Sequence, residues 1–132
     1  MDESRIVTVL FLEKPNFEEM TKAARSLEAA GIKPMLLPPE KRGLPTHLVV
    51  EKEDATKAVD VLSRLGMPLK PKELILIPLQ NAPGTMAEAT KKISDTGINL
   101  TYAFCVAVSD KRSYMLLDTA DNRNAVELLN AD

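Results

Sequence analysis

Six consecutive residues, Asn81-Ala82-Pro83-Gly84-Thr85-Met86, combine features that could seat a small anion. Asn81 brings an amide, and Pro83 has no backbone donor to lose in a first helical turn. Gly84 lacks the Cβ that keeps another molecule off the backbone. It reads as a first-turn residue, where the backbone accepts Ala or a larger side chain. The opening N–H groups of a helix have no acceptor inside it, so a carboxylate placed over the turn would meet donors and a favourable dipole. Asn99, just after Gly97-Ile98, is the other polar residue that stands out. Both amides fit turn capping equally well, and the stretch also reads as a plain strand-to-helix connection.

The flanking elements decide where such a turn would sit. Before it, 74–77 is a continuous apolar run, as expected of a strand buried on both faces. After it, Met86, Ala89, Thr90, Ile93 and Gly97 follow a helical spacing with a narrow apolar stripe. A long strand over 99–108 places Leu100, Tyr102, Phe104, Val106 and Val108 on one face. A strand over 114–117 comes next, and then a helix capped by Asp121 or Asn122 with Ala125, Leu128 and Leu129 on its apolar side.

The first half of the chain reads the same way. A strand at 6–12 precedes a helix marked by Phe17, Met20, Ala24 and Leu27 and closed by Gly31. A short strand at 33–37 is broken by Pro38-Pro39 and belongs at a sheet edge. A strand opens at His47, and Asp54 is placed to cap a helix bearing Ala58, Val61, Leu62 and Leu65. Met20 and Gly31-Ile32 stand 66 residues before Met86 and Gly97-Ile98, and Ala58-Val59 stands 67 before Ala125-Val126. This spacing predicts two repeats, 1–70 and 71–132.

Each repeat reads β-α-β-β-α, so the fold class is α+β. The plan is ferredoxin-like, βαββα(β), with antiparallel sheets carrying their helices on one face. The last strand is short or missing, with 67–70 available as a stub for the first repeat. A 66-residue unit is marginal alone, and strands 6–12 and 73–79 are apolar on both faces. The repeats are therefore expected to pack together and two chains to associate as a homodimer.

Other chemistry finds little support. A net charge of −2 and a pI near 5.5 argue against nucleic acid as a partner. One Cys and one His exclude a disulfide, a cysteine-rich zinc site and a paired-histidine metal site. Cys105 reads as a small buried hydrophobe between Phe104 and Val106. His47 reads as a surface or satisfied residue, and Lys41-Arg42 and Lys111-Arg112 as solvated turns. No catalytic triad or carboxylate pair can be assembled, so no enzyme activity and no cofactor are expected. No apolar run is long enough for a membrane helix, and the opening Met1-Asp2-Glu3-Ser4 lacks a signal-peptide layout, which points to the cytoplasm.

The run Leu76-Ile77-Pro78-Leu79-Gln80-Asn81-Ala82-Pro83-Gly84-Thr85-Met86, followed by Asp95-Thr96-Gly97-Ile98-Asn99-Leu100, resembles the ACT domain signature. That signature is an apolar strand, N-x-P-G, a helix, then G-I-N. The resemblance implies ferredoxin-like modules that bind amino acids or similar small carboxylates and regulate a metabolic enzyme or transcription. It implies a ligand held between units. Asn81, Ala82, Pro83, Gly84, Thr85 and Met86 would form the loop, and Asn99, Leu100 and Thr101 the facing strand. Met86 stands where the family usually has Leu. The first repeat departs from the pattern, with Lys14-Pro15-Asn16-Phe17-Glu18-Glu19 at the loop and Lys33 for the Asn. Two carboxylates there would repel a ligand carboxylate, so this repeat reads as a structural partner. The other reading is a dimerising regulatory subunit with no ligand of its own.

Overall fold

A computed structural model of the chain describes residues 4–12, 17–37, 47–80, 84–107 and 109–131. In order these form β1 (Arg5–Leu12), α1 (Phe17–Ala29), β2 (Met35–Leu37), β3 (His47–Glu51), α2 (Ala55–Arg64), β4 (Leu69–Gln80), α3 (Thr85–Asp95), β5 (Leu100–Ala107), β6 (Arg112–Thr119) and α4 (Asn122–Asn130). The chain divides into two compact units, Val7–Glu73 and Leu74–Asp132, the second joined by residues up to Ile6. The fold is α+β, built from two ferredoxin-like βαββα units.

In the first unit β3 lies between β2 and β1, antiparallel to both, with Leu10 opposite Leu48 and Leu36 opposite Leu48 on the other side. Leu10 and Leu12 share a face with Leu48 and Val50, since strand side chains alternate. Ala23 and Leu27 of α1 and Ala58 and Leu62 of α2 close over that face. Each fully buried Leu or Ile contributes about 1.5–3 kcal/mol. Met67 and Leu69 pack against the same core, so the head of β4 serves as the expected stub. Glycines in the left-handed region follow α1, α2 and α3, as at Gly31 (φ 84°), where the Ile32 N–H reaches back to the Leu27 carbonyl at 2.9 Å.

The second unit repeats the plan, with β6 between β4 and β5 and antiparallel to both. Ile75, Ile77 and Leu79 of β4 share a face with Met115 and Leu117 of β6, covered by Ala89 and Ile93 of α3 and Ala125 and Leu129 of α4. Residues 74–79 are all buried, which fits a strand enclosed on both faces.

Three local expectations are corrected. Cys105 is exposed. It lies on the face of β5 that the helices should cover, but β5 is the outer strand of its unit and the helical layer stops short of it. Asp54 does not cap α2 with its side chain, because a 3-10 turn over Lys52–Asp54 runs straight into that helix. In α1 the fully buried residue beside Leu27 is Ala23, not Ala24. At α4 the choice resolves to Asp121, whose carboxylate accepts from the Asn124 N–H at 3.2 Å. Asn122 instead turns back to accept from the Thr119 N–H and hydroxyl, both at 2.8 Å.

Candidate functional site

β4 delivers the chain to the candidate turn at Gln80, and α3 takes it up at Thr85. The Thr85 hydroxyl donates to the Gln80 carbonyl at 2.9 Å and closes the mouth of the turn. Gly84 is the N-cap of α3, with φ 85° and ψ −8°, and its carbonyl accepts the first helical bond from the Glu88 N–H at 2.9 Å. This corrects its reading as a first-turn residue: it stands one position earlier, in the left-handed region that side chains resist. A Cβ built there would meet nothing within 4 Å among the described residues, so a side chain at this position is opposed by the backbone angle and not by crowding. Its N-cap residue, a glycine, contributes no side-chain cap. The arrangement can offer backbone donors and a helix dipole to a carboxylate.

Of the residues singled out from sequence, Asn81, Ala82 and Pro83 lie outside the described residues, and Met86 contributes its backbone to the first turn of α3. The other group sits elsewhere. Asn99 is exposed, and its carbonyl accepts from the Ala120 N–H at 2.9 Å. Leu100 is half-buried against the core of the second unit. Thr101 is exposed and donates its hydroxyl to the Asp118 carbonyl at 3.1 Å. These three follow the C-terminus of α3, whose 11 residues span about 16 Å. One chain therefore keeps the turn and residues 99–101 at opposite ends of α3.

Register brings a different residue to the turn. Gln80 pairs with Arg112, and Leu79 with Ser113, which in turn pairs with Ala107 at the end of β5. Arg112 is exposed at the head of β6, after a turn in which the Ser109 hydroxyl accepts from the N–H groups of Lys111 (3.3 Å) and Arg112 (3.1 Å). The sequence pattern puts it in a solvated turn, and it is exposed; strand pairing is what places its backbone beside Gln80. In the first unit, Glu18 and Glu19 are exposed in the first turn of α1.

A separate open groove of about 550 Å³ runs between α3 and β5, lined by Ala87, Thr90, Ser94, Ala103, Cys105 and Met115 among others. Partial burial of the Cys105 sulfur there raises its pKa above the ordinary 9.0. Among the described residues no group of three His, Cys, Asp or Glu side chains could hold a metal ion, and no helix is long and apolar enough to cross a membrane.

No protein-family model and no curated protein matches the chain. Solved structures do. The regulatory subunit of aspartate kinase from Thermus flavus is similar at 14% identity and a TM-score of 0.62, over 96% of this chain and 94% of that one. Aspartate kinase from Synechocystis is similar at 16% identity and a TM-score of 0.65, over 96% of this chain and 26% of that one. Aspartate kinase from Clostridium acetobutylicum, described as an allosteric enzyme, gives 14% identity and a TM-score of 0.60, over 96% and 32%. At such identities the likeness establishes a shared fold.

Proposed function

We propose that this chain is a non-catalytic regulatory protein of the tandem ACT type, which binds an amino acid or similar small carboxylate and works as a homodimer. The observation that carries the reading is the N-terminus of α3, which starts at a glycine N-cap with φ 85° and is tied to β4 by the Thr85–Gln80 bond. Residues 81–86 form the loop of the site, with Arg112 beside Gln80 in the strand register. The shared fold with a regulatory subunit of similar length supports a regulatory role toward a metabolic enzyme. The two repeats fall at 1–70 and 71–132, the first serving as structural partner.

A second copy supplies the missing half of the site. β5 is the outer strand of its unit and has no charged residue, Pro or Gly in its eight residues. Such an edge invites antiparallel pairing with a second β5. That pairing would carry Asn99, Leu100 and Thr101 of one copy to the Ala107 end of the other, the end that register places near Gln80. The same edge favours a second reading, a dimerising subunit without a ligand.

A thermal-shift screen with each of the twenty amino acids separates the two. Ligand at 100 times its Kd stabilises by about 2.7 kcal/mol, a rise of several degrees for a chain of this size. A dimer that responds to none of them is the ligand-free subunit.

A further inference from the structure

α4 is the last described element of the second unit, and its final residue, Asn130, meets a residue from the other segment of that unit. Ser4 is 1% exposed in that unit, although it lies at the other end of the chain. Its N–H donates to the Asn130 Oδ1 at 2.8 Å, and the Asn130 Nδ2 donates to its carbonyl at 2.9 Å, across 126 residues. These are the two opposed bonds that a residue of a neighbouring antiparallel strand would exchange with Ser4. A side-chain amide thus does the work of a strand.

Asn130 is the last residue of α4, where the closing carbonyls of a helix find no donors inside it. Lys92 of α3 supplies them: its ammonium donates to the Leu129 carbonyl at 3.4 Å and the Ala131 carbonyl at 3.2 Å. A cation is also favoured at that end of the helix dipole. Lys92 therefore fixes the turn whose side chain grips Ser4. The neighbouring Lys91 has another task, pairing with Asp95 at 3.2 Å on the exposed side of α3.

We propose that Lys92 and Asn130 form a two-step latch that makes the hold on residues 4–6 depend on the position of α3. Lys92 is the positioning residue and Asn130 the gripping one. The latch stands whether or not the turn before α3 seats a ligand.

Amide hydrogen exchange followed by NMR on the full chain tests it. Asn130→Ala should speed exchange at the Ser4 amide about tenfold, and Asn130→Asp, which keeps the acceptor, should have a smaller effect. Lys92→Met keeps the stem, removes the ammonium and should speed Ser4 about three- to fivefold. Lys92→Arg should restore protection, and Lys91→Met should leave it unchanged. Amides of Met115, Leu116 and Leu117 in β6 should stay at parental rates throughout. Ser4 exchange unmoved by Lys92→Met would overturn the latch. So would acceleration of the β6 amides by the same factor as Ser4, because the lysine would then act on the whole unit.

Discussion

The Thr85 hydroxyl and the Gln80 carbonyl meet at 2.9 Å, so the first residue of α3 is fastened to the last residue of β4. Strand and helix are held together by that bond across the intervening turn. Thr85→Val keeps the shape and β-branching and removes the hydroxyl that donates to Gln80. The expected loss is about 1 kcal/mol of stability, measured by urea denaturation, together with weaker binding of any amino acid that shifts the parent. Serine at the same position should recover most of both.

Gly84 sets the other constraint. With φ at 85° the penalty for a side chain is conformational, since a Cβ there would meet nothing within 4 Å among the described residues. Gly84→Ala should cost about 1–2 kcal/mol, and Gly84→Asn less, because Asn enters the left-handed region more easily. Gly84→Val should cost more than Ala because of its branched Cβ. Chemical denaturation of the three variants gives that order if the backbone governs. All three should lose the ligand-induced thermal shift, because each projects atoms over the helix N-terminus.

The sequence made the plan of the fold legible where periodicity was strong. The spacing of Met20 and Met86 announced repetition, and Gly31 and Gly97 marked helix ends. Gly84 reads from sequence as a first-turn residue and stands one position earlier, at the N-cap of α3. Helix boundaries rest on dihedral angles that composition does not show. Cys105 was misread because alternation tells which face a residue occupies and not whether that face is covered. The place of Arg112 beside Gln80 has a related cause: it depends on pairing register, a relation between distant segments. The Ser4–Asn130 clamp has no local signal at all.

Cys105 is exposed as a residue while its sulfur is partly buried beside α3, and that burial disfavours the thiolate. The thiolate is the reacting species, so reactivity must be low below the raised pKa and climb as pH passes it. At about pH 8 the folded chain should react with a thiol reagent more slowly than the urea-unfolded chain. The difference should narrow above 9.0. A folded rate equal to the unfolded one at every pH would show that the groove does not shield the sulfur.

Ser4 carries a hydroxyl that is buried without a hydrogen-bond partner among the described residues. Its backbone makes both bonds to Asn130, so the hydroxyl adds a desolvation cost and no bond. Ser4→Ala should leave the clamp intact and raise stability by up to about 1 kcal/mol, read from the midpoint of urea unfolding. Destabilisation would mean that the hydroxyl has an acceptor.

The outer edge of β5 gives the last prediction. Ala103 is exposed, on the same face as Cys105, and its cross-strand partner is Leu117 of β6. Ala103→Lys leaves the β5–β6 ladder and the core in place, because it adds a solvated cation to an exposed position. If two copies meet through β5, the substitution brings like charges to the joint and desolvates them, as lysines on natural edges do to prevent such pairing. Light scattering across micromolar concentrations should find the parent dimeric and the variant mostly monomeric, with dimer affinity weakened at least tenfold, or about 1.4 kcal/mol. Far-UV dichroism and the urea midpoint, extrapolated to low concentration, should match between the two. An Ala103→Ser control should remain dimeric, since it changes polarity slightly and charge not at all. A parent that is monomeric throughout, or a variant as dimeric as the parent, would remove β5 as the joint. It would also separate residues 99–101 from the turn before α3, and with them half of the proposed site.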